Sequence, residues 1–338
     1  MMQRPKNKDE YRASLAEAFA CVLEEKGLEW KKEWNGSRGA PHNGVTKACY
    51  RGINAFWLKL ISLQKGYQDP RWVTMVQIMD KGGKYHPKEK WHLKKGAKAT
   101  YVEYWYPYDV KAKRALTWEQ YQKELANGRR DTEFKLSSRY TAVFNAGEVE
   151  GIPEWTRVPA ARIPSDAFVE KLCSGMCVKI FTDGGDHAFY SPAWDQIHLP
   201  VPESFTSAYA FYATALHELA HATGHPSRLN RDQKGKFGST SYAYEELVAE
   251  MCSCFAGANL HTEAEPEHIE NHRAYVQFWV QGIREQPETL VRAIRDAQTA
   301  ACYMDWKAGL ISEKEYENAH NSAIAIEVRK KASRELER

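Results

Sequence analysis

The stretch TALHELAHATGHPSRLNR, residues 214–231, places His217, Glu218 and His221 in the spacing His-Glu-x-x-His. In an α-helix, residues four apart stand one above the other, so both imidazoles can reach one cation. Tyr209, Tyr212, Ala213, Leu216, Leu219, Ala220 and Thr223 recur at helical spacing and predict a helix over 205–225. Zinc takes about four donors, and a catalytic site leaves one position open for water. Glu218 lies beside the two imidazoles, placed to take a proton from that water rather than to bind the metal. The bare pattern arises by chance in roughly 0.03 of chains of this composition, so its context has to carry it. The competing interpretation is a surface helix with His and Glu in i,i+4 pairs.

The context lies in YAYEELVAEM, residues 242–251, which predicts a second helix over about 242–258. Glu246 and Glu250 are four apart on one face of it. One can close a metal site, and the other can hold a ligand histidine through its second nitrogen. The assignment made here is Glu246 as ligand and Glu250 behind a histidine. Glu245 points about a quarter-turn away. His225 continues the ladder from His221, but Gly224 and Pro226 flank it and end the helix there. A metzincin would need its third ligand at position 227, which is Ser227. A downstream glutamate is therefore favoured, and His225 is expected behind the ligands or on the substrate side.

The 338 residues suffice for two domains. The net charge of +3 conceals an asymmetry, because residues 1–150 carry a net +10 and the remainder a net −7. Such polarity points to a first domain facing a polyanion, with a merely solvated basic surface as the alternative. No apolar run approaches the ~20 residues of a membrane span. The charged start MMQRPKNKDE lacks the apolar segment of a signal peptide. The seven cysteines show no framework of regular spacings, so reduced thiols in a cytoplasm are expected.

The first half reads as α+β. Helices are predicted over 9–26 and 53–64, a strand over about 99–107, a helical insertion in TWEQYQKELANG, and a pairing strand in FKLSSRYTAVFN. GEVEGIPEWTRVPAARIPSD, with its prolines, is taken as the connector. Beyond it the chain reads as two short strands in HAFYSPAWDQIHLP and then mainly helices, including 266–286, 288–304 and a charged helix over 312–336. The expected fold class is thus α+β with two domains, the first 1–150 and the second, mainly helical, 151–303. Residues 304–338 form a helical extension to which no role is assigned.

Seven of the eleven tryptophans occur by Trp118, several beside basic stretches. Cationic grooves with aromatic platforms hold single strands without reading bases. Trp57 on its helix, and Trp105 with Tyr101 on the strand, are expected in the core. Trp34, Trp72 and Trp91 are the surface candidates, with Arg71 beside Trp72. Lys84, Lys88, Lys90, Lys94, Lys95 and Lys98 cluster around turns suited to phosphates.

These residues resemble a known family. APHNGVTKACYRGIN, GYQDPRWVT, KGGKYHPKEKWHLKKGAKATYVEYW and YTAVFNAGEVEGIP are similar to the N-terminal domain of ArdC-type antirestriction proteins, a domain also found in plasmid primases of the TraC type. TALHELAHATGHPSRLNR, FGSTSYAYEELVAE and DQIHLP resemble the zincin-like metallopeptidase domain that follows it. The resemblance runs from about Tyr11 to Cys302. It implies a cytoplasmic plasmid or phage product, in the setting of conjugation, that binds single-stranded DNA and protects it from host restriction. It further implies Zn2+ or another divalent metal, host restriction–modification proteins as partners, and no membrane. It places Tyr50, Arg51 and Asn54 at the heart of the DNA-binding domain. Where the family has a Thr-Gly-Lys-type turn this chain has VTKAC, and 111–131 reads as an insertion. The absence of a primase catalytic domain disfavours a primase.

Three expectations remain open at the level of sequence. The metal domain cleaves a protein, or it is a structural metal site and DNA binding alone protects, or the chain is a metallopeptidase docked by its basic half to nucleic acid.

Overall fold

The computed structural model describes residues 5–27, 39–82, 90–156, 164–183, 185–235, 239–257 and 273–317. They form two compact units that do not follow chain order. One contains Trp72–Ile152; the other contains Lys6–Arg71 and Pro153–Glu313.

The larger unit is mainly helical. Helix α1 (Lys8–Lys26) starts where the Asn7 side chain accepts the Glu10 N–H, and stops at Gly27, whose φ of 54° suits glycine. Its stripe of Tyr11, Leu15, Phe19, Val22 and Leu23 is buried, as the spacing predicts. A two-residue strand, β1 (His42–Asn43), and α2 (Gly52–Lys65) follow, with Trp57 in the core. Helix α5 (Ser165–Met176) buries Phe168, Val169, Leu172 and Met176. This helix lies in a stretch that the sequence left unassigned, although its apolar spacing is helical. A three-stranded sheet has the order β8 (Lys179–Phe181), β10 (Gln196–His198), β9 (Phe189–Ser191). β8 runs parallel to β10, and β9 antiparallel. Helices α6 (Ala208–Ala222), α7 (Thr240–Gly257), α8 (Arg273–Glu285) and α9 (Pro287–Lys307) complete the unit. α7 packs between α6 and α9, and α1 lies against α8 and α9. Arg284 of α8 grips Glu17 and Glu24 of α1, and Arg12 pairs with Glu288.

The smaller unit is built on an antiparallel sheet with the strand sequence β2 (Arg71–Thr74), β6 (Phe134–Asn145), β4 (Thr100–Asp109), β5 (Arg114–Ala115). β4 and β6 pair without interruption from Thr100↔Val143 to Asp109↔Phe134. Beside it, β3 (His92–Leu93) pairs with β7 (Val149–Glu150). Helix α3 (Met75–Gly82) contributes Ile78 to a core with Val73, Trp91, Phe144 and Val149. Helix α4 (Trp118–Ala126) opens on a capping box between Thr117 and Gln120.

Three expectations are corrected. Trp72 (0% exposed) and Trp91 (6%) are core residues rather than surface platforms. Trp91 packs with Val73, Phe144, Val149 and Ile78 of α3, while Trp72 alternates with Val73 along β2 and is buried on the opposite side of that strand. Arg71 is buried as well, its guanidinium bound to Asp69 and to the Pro153 carbonyl. Trp105 is half-buried rather than fully in the core. The predicted helix 266–286 is described from Arg273 onward, and 312–336 falls largely outside the described residues. All seven cysteines are free thiols. Among the described residues no helix is long and apolar enough to cross a membrane.

Candidate metal centre

Helix α6 begins at Ser207, whose hydroxyl accepts the Ala210 N–H at 3.2 Å, and ends in a turn closed by the Gly224 N–H on the His221 carbonyl at 2.8 Å. His217, Glu218 and His221 are carried on its last turns, and all three are buried or nearly so. The facing surface of α7 supplies Glu245, Glu246 and Glu250, each at most 6% exposed.

His217 Nε2 and His221 Nε2 lie 3.1 Å apart. Glu246 places one carboxylate oxygen 3.4 Å from His217 Nε2 and the other 3.6 Å from His221 Nε2. Donors on a tetrahedral zinc, bonded at about 2.0–2.1 Å, stand about 3.3–3.5 Å from each other. The three residues therefore have the spacing of a metal's ligand set.

The outer nitrogens reinforce this. His217 Nδ1 is 3.5 Å from Glu250 Oε1, and His221 Nδ1 is 3.3 Å from Glu245 Oε1. A carboxylate behind each ring favours the Nδ1–H tautomer, so both Nε2 lone pairs converge on one point. Two converging lone pairs beside a buried carboxylate fit a cation.

Burial opposes the imidazolium of His221, but Glu245 and Glu246 outweigh it and raise its pKa to about 10. Burial pushes the Glu246 carboxyl up, yet hydrogen bonds from His217 and His221 hold it well below the usual carboxylate range. Burial likewise opposes ionisation of Glu245, but His221 and Arg231 bring its pKa down to about 2. Glu218 behaves differently. Burial raises its pKa more than the two histidines lower it, and its carboxylate accepts the Tyr190 backbone N–H. A carboxyl lifted toward neutrality is suited to exchanging protons.

Sequence reasoning did not find the residues that lock His221. Arg231 donates to both oxygens of Glu245 at 2.6 and 3.1 Å, to the Thr223 hydroxyl at 2.6 Å and to the Ala220 carbonyl at 2.8 Å. Gln233 Nε2 donates to the His221 carbonyl at 2.6 Å. These residues approach only because the chain doubles back after α6, and no local pattern announces that return. His225 lies in the turn that follows α6. Its Nδ1 pairs with the Ser227 hydroxyl at 2.7 Å and lies 3.9 Å from Asp195. Arg228, which holds the Ala222 and Met176 carbonyls and Asp195, secures that same turn.

The residues expected at DNA fall into four groups. Trp34, Lys84 and Lys88 lie outside the described residues. Lys90, Lys94, Lys95 and Lys98 are exposed around the β3–β4 turn, with Lys94 Nζ donating to the Gly147 carbonyl. Arg51 is exposed at the start of α2, Tyr50 is half-buried, and Asn54 accepts from the Tyr11 hydroxyl at 3.4 Å. Trp72, Trp91 and Arg71 are buried as described above.

A His-Glu-x-x-His helix, a glutamate from the next helix and a small sheet supplying a backbone N–H to the central glutamate define a zincin-like centre. Comparison with known proteins places the chain more closely. Residues 167–296 match the profile of the zincin-like metallopeptidase family, and residues 10–144 match that of the N-terminal domain of anti-restriction factor ArdC. The crystal structure of the antirestriction protein ArdC from plasmid R388, metal-free, superposes with a TM-score of 0.67 at 26% identity, covering 89% of this chain and 99% of that one. The Mn(II)-bound structure of the same protein gives a TM-score of 0.66. A DNA primase TraC of Escherichia coli is 34% identical over 86% of this chain, and the protein y4eC of Sinorhizobium fredii (strain NBRC 101917 / NGR234) is 30% identical over 84% of this chain and 88% of its own length. The chain spans 26% of the length of that primase. This chain belongs to the ArdC-type antirestriction family.

Proposed function

We propose that the protein is an antirestriction factor of a mobile element that binds single-stranded DNA and carries a zinc-dependent peptidase site. It would act in the cytoplasm, where incoming DNA meets host restriction–modification proteins. The observation that carries the peptidase limb is the convergence of His217, His221 and Glu246 beside the buried Glu218, whose carboxyl pKa is pushed up by burial. His217, His221 and Glu246 would hold the metal. When bound, a divalent cation there supplies Lewis acidity toward water and a peptide carbonyl. Glu250 and Glu245 fix the histidine rings, and Arg231 keeps Glu245 ionised. Glu218 takes the proton from the attacking water and passes it to the leaving nitrogen.

The existence of an Mn(II)-bound form of the R388 protein supports a divalent metal in this chain. The DNA limb is supported by the family match and by the net charge of +10 on residues 1–150. The test is Glu218→Gln. It should retain metal, measured by elemental analysis, and lose protection of incoming DNA from restriction in a transfer assay. Full protection by that variant would make the metal centre a structural element and leave DNA binding as the mechanism. Binding to single strands should weaken steeply with salt as counterions are released.

A further inference from the structure

The paired strands β4 and β6 have two faces of different character. On one face, α4 covers the far end. Tyr121 meets Phe134 edge-on at 5.2 Å, and Arg129 stacks on the Phe134 ring while pairing with the buried Asp109. The other face carries a regular ladder. Tyr104, Tyr106 and Tyr108 alternate along β4, so their side chains share this face. Their partners across the ladder are Arg139, Ser137 and Lys135.

The rings and cations interleave. Tyr104 and Tyr106 stack at 6.5 Å with planes 18° apart. The Arg139 guanidinium lies 5.0 Å from the Tyr104 ring and 5.7 Å from the Tyr106 ring, and Lys135 Nζ lies 5.4 Å from the Tyr108 ring. Tyr104 is 43% exposed, and Arg139 and Lys135 are exposed. No carboxylate stands among these six positions, and the hairpin that leads to β5 adds the exposed Lys111 and Lys113.

A packing role accounts for one ring beside one cation. It does not account for three rings in a row, one exposed and two half-buried, with every charge among them positive. Flat aromatic faces spaced along a strand, with cations between them, hold unpaired bases by stacking while neutralising the phosphates. A duplex keeps its base faces buried in its own stack and gains nothing from the rings.

We propose that this face of the β4–β6 ribbon is the surface on which single-stranded DNA stacks. It rests on the DNA-binding limb of the function given above and assigns that limb to residues the buried Trp72 and Trp91 cannot serve. The probe is a fluorescently labelled oligo-dT, followed by anisotropy with the full chain, with a duplex of the same length as competitor. Tyr104→Leu and Tyr106→Leu should each weaken binding by about 5- to 150-fold, the worth of one lost stack. Tyr104→Phe and Tyr106→Phe keep the ring and should bind as the wild type does. Lys135→Gln with Arg139→Gln should make the slope of log affinity against log salt shallower by about 1.4.

Circular dichroism separates loss of binding from loss of fold. If the leucine variants unfold, the folded glutamine pair decides through its salt slope. Wild type that binds, with leucine and glutamine variants indistinguishable from it, overturns the ladder and leaves DNA binding to another surface. Wild type that fails to bind at low salt overturns DNA binding itself and the ladder with it.

Discussion

Arg231→Met tests whether the metal centre is held in shape by a buried ion pair. The Arg231 side chain is 10% exposed and the Glu245 side chain 8%. Methionine fills much of the space but leaves Glu245 buried without its guanidinium, and removes the hydrogen bonds Arg231 donates to the Thr223 hydroxyl and the Ala220 carbonyl. Breaking one side of a buried pair typically costs about 3–5 kcal/mol. An independent figure comes from Glu245 itself. Its pKa falls from 4.5 to about 2. At 1.36 kcal/mol per pKa unit that is about 3 kcal/mol, shared between His221 and Arg231. The expected loss at neutral pH is thus about 2–4 kcal/mol. It should appear in urea unfolding followed by tryptophan fluorescence in the presence of a chelator, so that metal makes no contribution.

The loss should also depend on pH in a definite direction. Glu245 has a lower pKa folded than unfolded, so its contribution is complete above about pH 4.5 and fades as pH falls toward about 2. The gap between wild type and variant should therefore narrow in acid. Because Glu245 orients His221, metal affinity should fall with it, by about 10–100-fold in competition with a chromophoric chelator. A variant within about 1 kcal/mol of the wild type at pH 7 would refute the reasoning.

Two further outcomes are expected. The pKa of His221 is raised to about 10 in the metal-free protein, so metal uptake at pH 7–9 should release about one proton; calorimetry in buffers of different ionisation enthalpy should show it, and affinity should weaken as pH falls. Gly175→Ala should destabilise the larger unit by about 1–3 kcal/mol in thermal unfolding, since a Cβ there would stand 2.2 Å from the Lys307 carbonyl oxygen and force α5 away from α9.

The elements set by local periodicity were legible in advance. The buried stripe of α1, the β4–β6 pairing and the end of α6 just before Gly224 all follow from spacing and turn chemistry within a few residues. The elements that failed depend on what lies opposite. Trp72 and Trp91 sit beside lysines and arginines in the chain, which suggested a surface, yet their rings point into the core. Neighbours in sequence say little about which side of a strand or turn is covered. The grouping of α1 and α2 with the C-terminal helices, rather than with the sheet that follows them, is likewise a matter of packing.

The sequence by itself determined that His217 and His221 face one point and that Glu246 and Glu250 share a helix face, because both follow from the 3.6-residue turn. Only the tertiary structure decided the partners: Glu250 behind His217, Glu245 behind His221, Arg231 beneath Glu245, and the Tyr190 N–H on Glu218. Those contacts join segments brought together by the crossing of α6 with α7, by the packing of β9 on α6 and by the return of the chain after Gly224. The helical repeat fixes directions along one element, and packing alone fixes what those directions meet.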